Sequence, residues 1–115
     1  MTTLTESSHT GEFILSEANG QRSRDNGVLA HGEKVAAGEV LGGTLAAMTA
    51  YNASSAGEDA IGIALNACDA TDVATPLAII ARDAEVNGNF LTMPGATGDY
   101  DEAVAALAEK GIIVR

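Results

Sequence analysis

The sequence predicts a single, mainly β domain with one short helix near its C-terminal end, an α+β fold. The 115 residues include 13 glycines but only 2 prolines, and the apolar runs at residues 78–80 and 111–114 are short and rich in β-branched side chains. Such runs separated by glycine-containing turns are typical of short strands. The composition is 46% hydrophobic but only 3% aromatic, so the expected core is modest and built from Ala, Leu, Val and Ile.

The N-terminal part of the chain predicts an extended arm. The first ten residues are mostly polar and offer little apolar surface to offset the entropy lost on ordering. Residues 12–16 form the first strand candidate, but Ala18-Asn19-Gly20 interrupts it and residues 22–27 are again polar. We therefore expect a flexible arm over residues 1–27 and a compact domain over residues 28–115, with the core beginning near Val28.

Further strands are expected at residues 43–48, 60–67 and 75–82, each bounded by polar or glycine-containing turns. Asp99 can cap a helix of about 12 residues, in which Ala103, Val104, Leu107 and Ala108 recur at helical spacing. Gly111 provides the stop. Residues 112–114 then predict a short apolar strand that packs into the core or an interface.

Charge excludes two classes of partner. The formal net charge of −10 leaves little capacity to neutralise phosphates, so we expect binding neither to nucleic acid nor to an anionic membrane. Nor does any apolar stretch approach the roughly 20 residues of a spanning helix. The first six residues lack a basic region and an apolar region of a secretory signal, so synthesis in the cytoplasm is expected.

The sequence offers no metal site. His9 and His31 have neither a second His nor a Cys at ligand spacing, and we interpret both as exposed loop residues. The acidic stretches at residues 69–72 and 99–102 lack the spacing of a calcium-binding loop.

Catalysis and cofactor binding are equally unsupported. Gly42-Gly43 lacks the Gly-Lys-Ser/Thr ending of a phosphate loop, and neither Ser16 nor Ser23 lies in a nucleophile-elbow pattern. Cys68 is the single cysteine and follows an apolar stretch, so we interpret it as a buried, inert thiol. We expect no enzyme activity, no catalytic residue and no cofactor.

Five segments resemble one known family. Residues 10–20 (TGEFILSEANG), followed by residues 22–25 (RSRD), are similar to the N-terminal signature of the lambda-type phage head decoration proteins. Residues 37–42, 81–87 and 106–115 resemble the family's first core turn and strand, its middle segment and its ending, so the resemblance covers nearly the whole chain.

The resemblance implies a small β-barrel-like decoration protein fold that assembles as a homotrimer. Such trimers bind three-fold and quasi-three-fold sites on the outer surface of the capsid and stabilise the expanded head against the pressure of packaged DNA. The implied partners are the major capsid protein and further copies of this chain. The implied location is the outer capsid surface of the virion, after synthesis in the host cytoplasm.

We expect the N-terminal arm to contact the capsid. Residues 12–16 could add a strand to an exposed sheet edge of the capsid protein, while the charged side chains that follow pair with capsid groups. The candidate capsid-binding residues are Glu12, Phe13, Ile14, Leu15, Ser16, Arg22, Arg24 and Asp25.

Two other functions are considered. Residues 37–42 also resemble a hairpin of biotinyl or lipoyl carrier modules, but these need a Lys at a hairpin tip, and neither Lys34 nor Lys110 lies in such a turn. A virion-surface adhesion module that binds host or glycan through residues 51–59 and 89–99 is the alternative, and it is compatible with capsid decoration.

Overall fold

The computed structural model describes residues 11, 13–20, 22–51, 60–88, 91 and 99–115. These residues are mostly β with one short C-terminal helix, as the sequence predicts. In chain order the elements are β1 (Ile14–Glu17), β2 (Arg24–Leu29), β3 (Lys34–Val35), β4 (Val40–Thr44), β5 (Ala47–Ala50), β6 (Gly62–Ala64), β7 (Cys68–Asp69), β8 (Thr75–Ile80), β9 (Ala84–Val86), α1 (Asp99–Glu109) and β10 (Ile112–Val114).

Five strands close into a ring in the order β2-β5-β4-β6-β8, which corresponds to the expected barrel-like fold. The longest ladder joins β2 and β8 antiparallel over six residue pairs, from Arg24 opposite Ile80 to Leu29 opposite Thr75. The ring is irregular, because β2 meets β5 through a single parallel pair, Leu29 and Met48. Outside the ring, β3 pairs with β7.

The single strand expected over residues 43–48 is wrong. β4 ends at Thr44 and β5 begins at Ala47, so this segment is the tip of an antiparallel hairpin with a two-residue turn. Gly43 makes the tight return possible, because its φ is +85° and an added Cβ would lie 2.8 Å from the Ala47 carbonyl oxygen.

Alternation along the strands divides the core in two. Leu29, Leu41, Met48, Ala64 and Ile79 come from the five different strands of the ring and form one buried cluster. The neighbouring positions on β4, β6 and β8 face the opposite way and join a second cluster with Phe13, the helix and the remaining sheet. That second cluster includes Val40, Ile63, Ile80, Val86, Leu107 and Ile112.

The third sheet brings the two ends of the described chain together. β9 lies in the middle, antiparallel to β1 and parallel to β10. The helix begins at Asp99, as expected, although capping by the side chains of Asp99 and Glu102 lies outside what the structure describes. It is followed by Gly111, whose φ of +84° ends the helix and whose missing Cβ would lie 2.9 Å from Asp83 Oδ1. The predicted C-terminal strand is confirmed, with Ile112 fully buried.

The packed chain begins earlier than the expected position near Val28. Phe13 is 1% exposed in the second cluster, and all six residues of β2 pair with β8. Residues 22–27 look like a polar loop in the sequence because the partners of Arg22 and Asp25, which are Asp83 and Arg82, lie far away along the chain. The division into a capsid-binding arm and a trimerising domain remains a prediction, and residues 1–10 and 12 lie outside the described part of the chain.

Candidate functional site

β1 is an edge strand. It pairs with β9 along one side, and no other described strand pairs with its second side. Its position is fixed by backbone hydrogen bonds at both ends, from Asn87 N–H to the Phe13 carbonyl at 2.8 Å and from Ala18 N–H to the Asp83 carbonyl at 3.0 Å. An ordered strand with an unpaired edge is a ready template for pairing with another chain.

The apolar side chains of this segment divide between core and surface. Phe13 is buried, and Ile14 packs against the same cluster. Leu15 is 55% exposed, because an irregularity in the register between Ile14 and Ser16 disturbs the regular alternation. Of the three predicted apolar anchors, Leu15 is the one that this conformation presents outward. Glu12 lies outside the described residues.

Arg24 is held by Glu17. Its Nε and Nη2 donate hydrogen bonds to the two carboxylate oxygens at 3.1 and 2.6 Å. The hydroxyl of the fully buried Ser23 also donates to this carboxylate. The hydrogen bonds from Arg24 and then from Ser23 hold the pKa of Glu17 below its usual range.

Asp25 and Arg22 lie beside residues that follow β8. Asp25 accepts a hydrogen bond from Arg82, which also donates from Nη1 to the Arg22 carbonyl at 2.7 Å. The Arg22 side chain is 70% exposed and its Nε is 3.9 Å from Asp83 Oδ2, a weak contact. Arg22 is therefore the most available of the three charged residues proposed to meet a capsid.

The outer face of the β1-β9-β10 sheet contains residues that the sequence analysis missed. Ser16 donates to Glu85 at 2.9 Å, and Arg115 Nε donates to the other Glu85 oxygen at the same distance. Ile113 lies opposite Glu85 on β10 and is 41% exposed. Its outward position follows from strand alternation, since its neighbour Ile112 faces the core; that signal was in the sequence.

The negative charge of Glu85 on this face is compensated by its hydrogen-bond donors. Hydrogen bonds from Arg115 first, and from Ser16 second, hold its pKa below the usual range. The carboxylate is thus ionised and locally compensated, with exposed Leu15 and Ile113 in the same sheet. Such a surface favours contact with another protein.

The sequence predicts no metal site, no reactive cysteine and no membrane-spanning helix, and the structure bears on these expectations only within the described residues. No group of three or more His, Cys, Asp or Glu side chains within the described ranges could hold a metal ion. His31 is exposed, and His9 lies outside those ranges. Cys68 is half-buried, not buried as expected, and burial and then Asp69 raise the pKa of its thiol. Among the described helices none is long and apolar enough to cross a membrane.

Comparison with protein families identifies the chain. A family model described as bacteriophage lambda head decoration protein D matches residues 3–112. The chain belongs to this family. A comparison with curated proteins finds no match.

Membership in the head decoration protein family supports a role in capsid decoration, with the phage capsid as partner and the capsid surface of the virion as location. The family is one of structural capsid proteins. The loops expected to serve adhesion lie almost entirely outside the described residues; of them, Tyr51 is buried in the core. Adhesion therefore stays a prediction.

Proposed function

We propose that this decoration protein binds as a homotrimer to three-fold and quasi-three-fold sites on the outer capsid surface and stabilises the expanded head against internal DNA pressure. The observation that carries the proposal is the ordered edge strand β1 with exposed Leu15, next to a charge-compensated sheet face. Residues 1–27 are the proposed capsid-binding arm, in which β1 and Arg22 make the contacts while residues 24–27 stay in the strand ring. The major capsid protein is the partner.

Strand addition is the proposed mode of attachment. β1 stays paired with β9, and a strand of the capsid protein pairs through backbone hydrogen bonds with the edge of β1 that no described strand covers. Leu15 supplies apolar contact and Arg22 pairs with a capsid carboxylate. The sequence suggested Phe13 as a further apolar anchor for the capsid. Because its side chain is buried, Phe13 instead holds β1 on the domain by packing in the core.

A trimer strengthens such contacts by multivalency. After one arm has bound, the second and third contacts become intramolecular, so three weak contacts give tight attachment. Binding to neighbouring capsid subunits raises the free energy needed to separate them, and no bond chemistry is required. The net charge of −10 suits a protein made in the host cytoplasm that binds neither DNA nor membrane and faces outward.

The test is to mix purified protein with undecorated expanded capsids and count the bound copies, after light scattering has given its mass in solution. We expect saturation at three copies per three-fold site, together with greater resistance of the capsids to heat. No binding by the wild-type protein would overturn the proposal.

Two variants test whether the arm binds the capsid while leaving the fold unchanged. A chain starting at Phe13 keeps the buried Phe13 side chain and all of β1, whereas a chain starting at Gly27 would lose half of β2. We expect the first truncation to keep the trimer mass, because it retains β1, and to bind capsids more weakly, because it lacks residues 1–12 of the proposed arm, including Glu12. Leu15→Ser should also keep the trimer mass and weaken capsid binding; normal binding by both variants would exclude this arm.

A further inference from the structure

A groove of about 440 Å³ lies where β8 ends. Its apolar wall combines Ile79 near the end of β8, Ala81 just after that strand, Ile61 just before β6 and Leu45 from the β4–β5 turn. Leu45 is 44% exposed and lies at the edge of the groove. Ile79 and Ala81 are buried in the first core cluster, so the exposed apolar surface of the groove comes from Leu45 and the half-buried Ile61.

The rim of the groove carries two cations and one carboxylate, although the protein as a whole is acidic. Arg82 and Lys110 lie there with Asp25. The Arg82 guanidinium is fixed by Asp25 and by the Arg22 carbonyl. Lys110 has no carboxylate partner among the described side chains. One cation of the rim is thus balanced internally and the other is free to meet an incoming carboxylate.

A matching protrusion lies before β8. Val73 is 66% exposed, and the acidic residue Asp72 directly precedes it. The loop is held in shape from both sides: Asp69 Oδ1 accepts a hydrogen bond from Thr71 N–H at 3.0 Å, and Thr75 Oγ1 donates to the Val73 carbonyl at 2.9 Å. An exposed valine on a preorganised loop loses little entropy when it is buried by a partner.

Protrusion and groove cannot meet within one molecule. Val73 precedes β8 and the groove lies at its far end, and the six residues of that strand span about 20 Å. Contact between them therefore requires two copies, with different surfaces of each copy facing one another. Such a heterologous contact closes into a ring when the rotation between copies divides a full turn.

We infer that the loop carrying Val73 and Asp72 on one copy docks in the groove lined by Leu45, Ile79, Arg82 and Lys110 on the next copy, and that three such contacts close the trimer. Val73 fills the apolar wall and Asp72 pairs with Lys110. The inference rests on the trimer of the proposed function and names its interface.

Charge exchange provides the decisive test. Light scattering over a dilution series gives the concentration at which half the protein is trimeric. We expect Lys110→Glu and Asp72→Lys each to raise this concentration at least tenfold, because each places like charges across the interface. The double variant should recover most of the loss, which general destabilisation would not do.

Matched controls distinguish the proposed contacts from the general effects of a changed net charge and of a lost exposed apolar side chain. Arg115→Glu makes the same charge change as Lys110→Glu at a residue that lines neither the groove nor the Val73 loop, and it should leave the trimer intact. Val73→Ser should weaken the trimer, whereas Ile113→Ser, at an exposed apolar residue on the other sheet, should not.

The outcomes distinguish this interface from the proposed function. A wild-type protein that is monomeric both in solution and on capsids would refute the trimer itself. A trimeric wild type whose Lys110→Glu, Asp72→Lys and Val73→Ser variants associate normally would overturn the interface alone and leave capsid decoration standing.

Discussion

The guanidinium of Arg24 binds both carboxylate oxygens of Glu17, at 3.1 and 2.6 Å, and so joins the edge strand β1 to the barrel strand β2. The two side chains are 32% and 23% exposed, so the pair is only partly screened by water. Buried Ser23 donates to the same carboxylate. These contacts attach the proposed capsid-binding strand to the domain.

Arg24→Lys should destabilise the protein by about 1 kcal/mol, since an ammonium group cannot reproduce two parallel hydrogen bonds to one carboxylate. Urea unfolding followed by circular dichroism measures this. The matched control is Arg115→Lys, whose pair with Glu85 is 64% exposed on the arginine side and should change stability by less than about 0.5 kcal/mol. Equal effects of the two substitutions would contradict the role given to Arg24.

The Glu17 contacts make stability depend on pH. Because the folded pKa of Glu17 lies below its ordinary value of 4.5, the stabilisation is present above that value and is lost as pH falls through the folded pKa. Wild type should therefore exceed Glu17→Gln in unfolding free energy at pH 6, with the difference shrinking below pH 4.5. A difference that stays constant down to pH 3 would show that the carboxylate charge is irrelevant.

Glu39 should show the opposite sign. Its side chain is buried, and burial raises its pKa above the ordinary 4.5, opposed in part by a hydrogen bond from the Ala36 backbone. The folded state holds this proton more tightly, so stability from Glu39 is full below pH 4.5 and is lost as pH rises through the folded pKa. Glu39→Gln, which can still accept the Ala36 bond, should match wild type near pH 4 and exceed it at pH 7. A less stable variant at pH 7 would contradict this.

Phe13→Ala tests whether the first residues belong to the core. Removing a fully buried aromatic ring should cost about 3–5 kcal/mol. Leu15→Ala, two residues away and 55% exposed, should cost less than about 1 kcal/mol. If Phe13→Ala leaves the urea midpoint unchanged, this segment does not pack on the free protein and forms part of a loose arm, as the sequence alone predicted.

Several features of this fold could be predicted from short stretches of sequence. The helix and Gly111 stop were expected because apolar spacing and a left-handed glycine act within a few residues. β8 was expected because its apolar run is continuous and bounded by turns. Residues 43–48 misled because a two-residue turn without glycine at its centre looks like continuous strand.

The candidate site was harder to predict than the elements that contain it. The sequence indicated residues 12–16 as a strand and as an interaction segment, and the structure places Ile14–Glu17 at a sheet edge. The sequence could not show that Phe13 faces the core and Leu15 faces outward, because which side chain points inward depends on the register irregularity opposite β9.

By itself, the sequence determined the mainly β class, the C-terminal helix and the resemblance to head decoration proteins, since each depends on local pattern or on motifs in order. The tertiary structure alone decided that residues 24–27 are barrel strand, because Asp25 finds its partner Arg82 57 residues along the chain. It also decided where the groove and the Val73 loop lie. Long-range pairing satisfies charges and buries apolar groups at positions that no local pattern specifies.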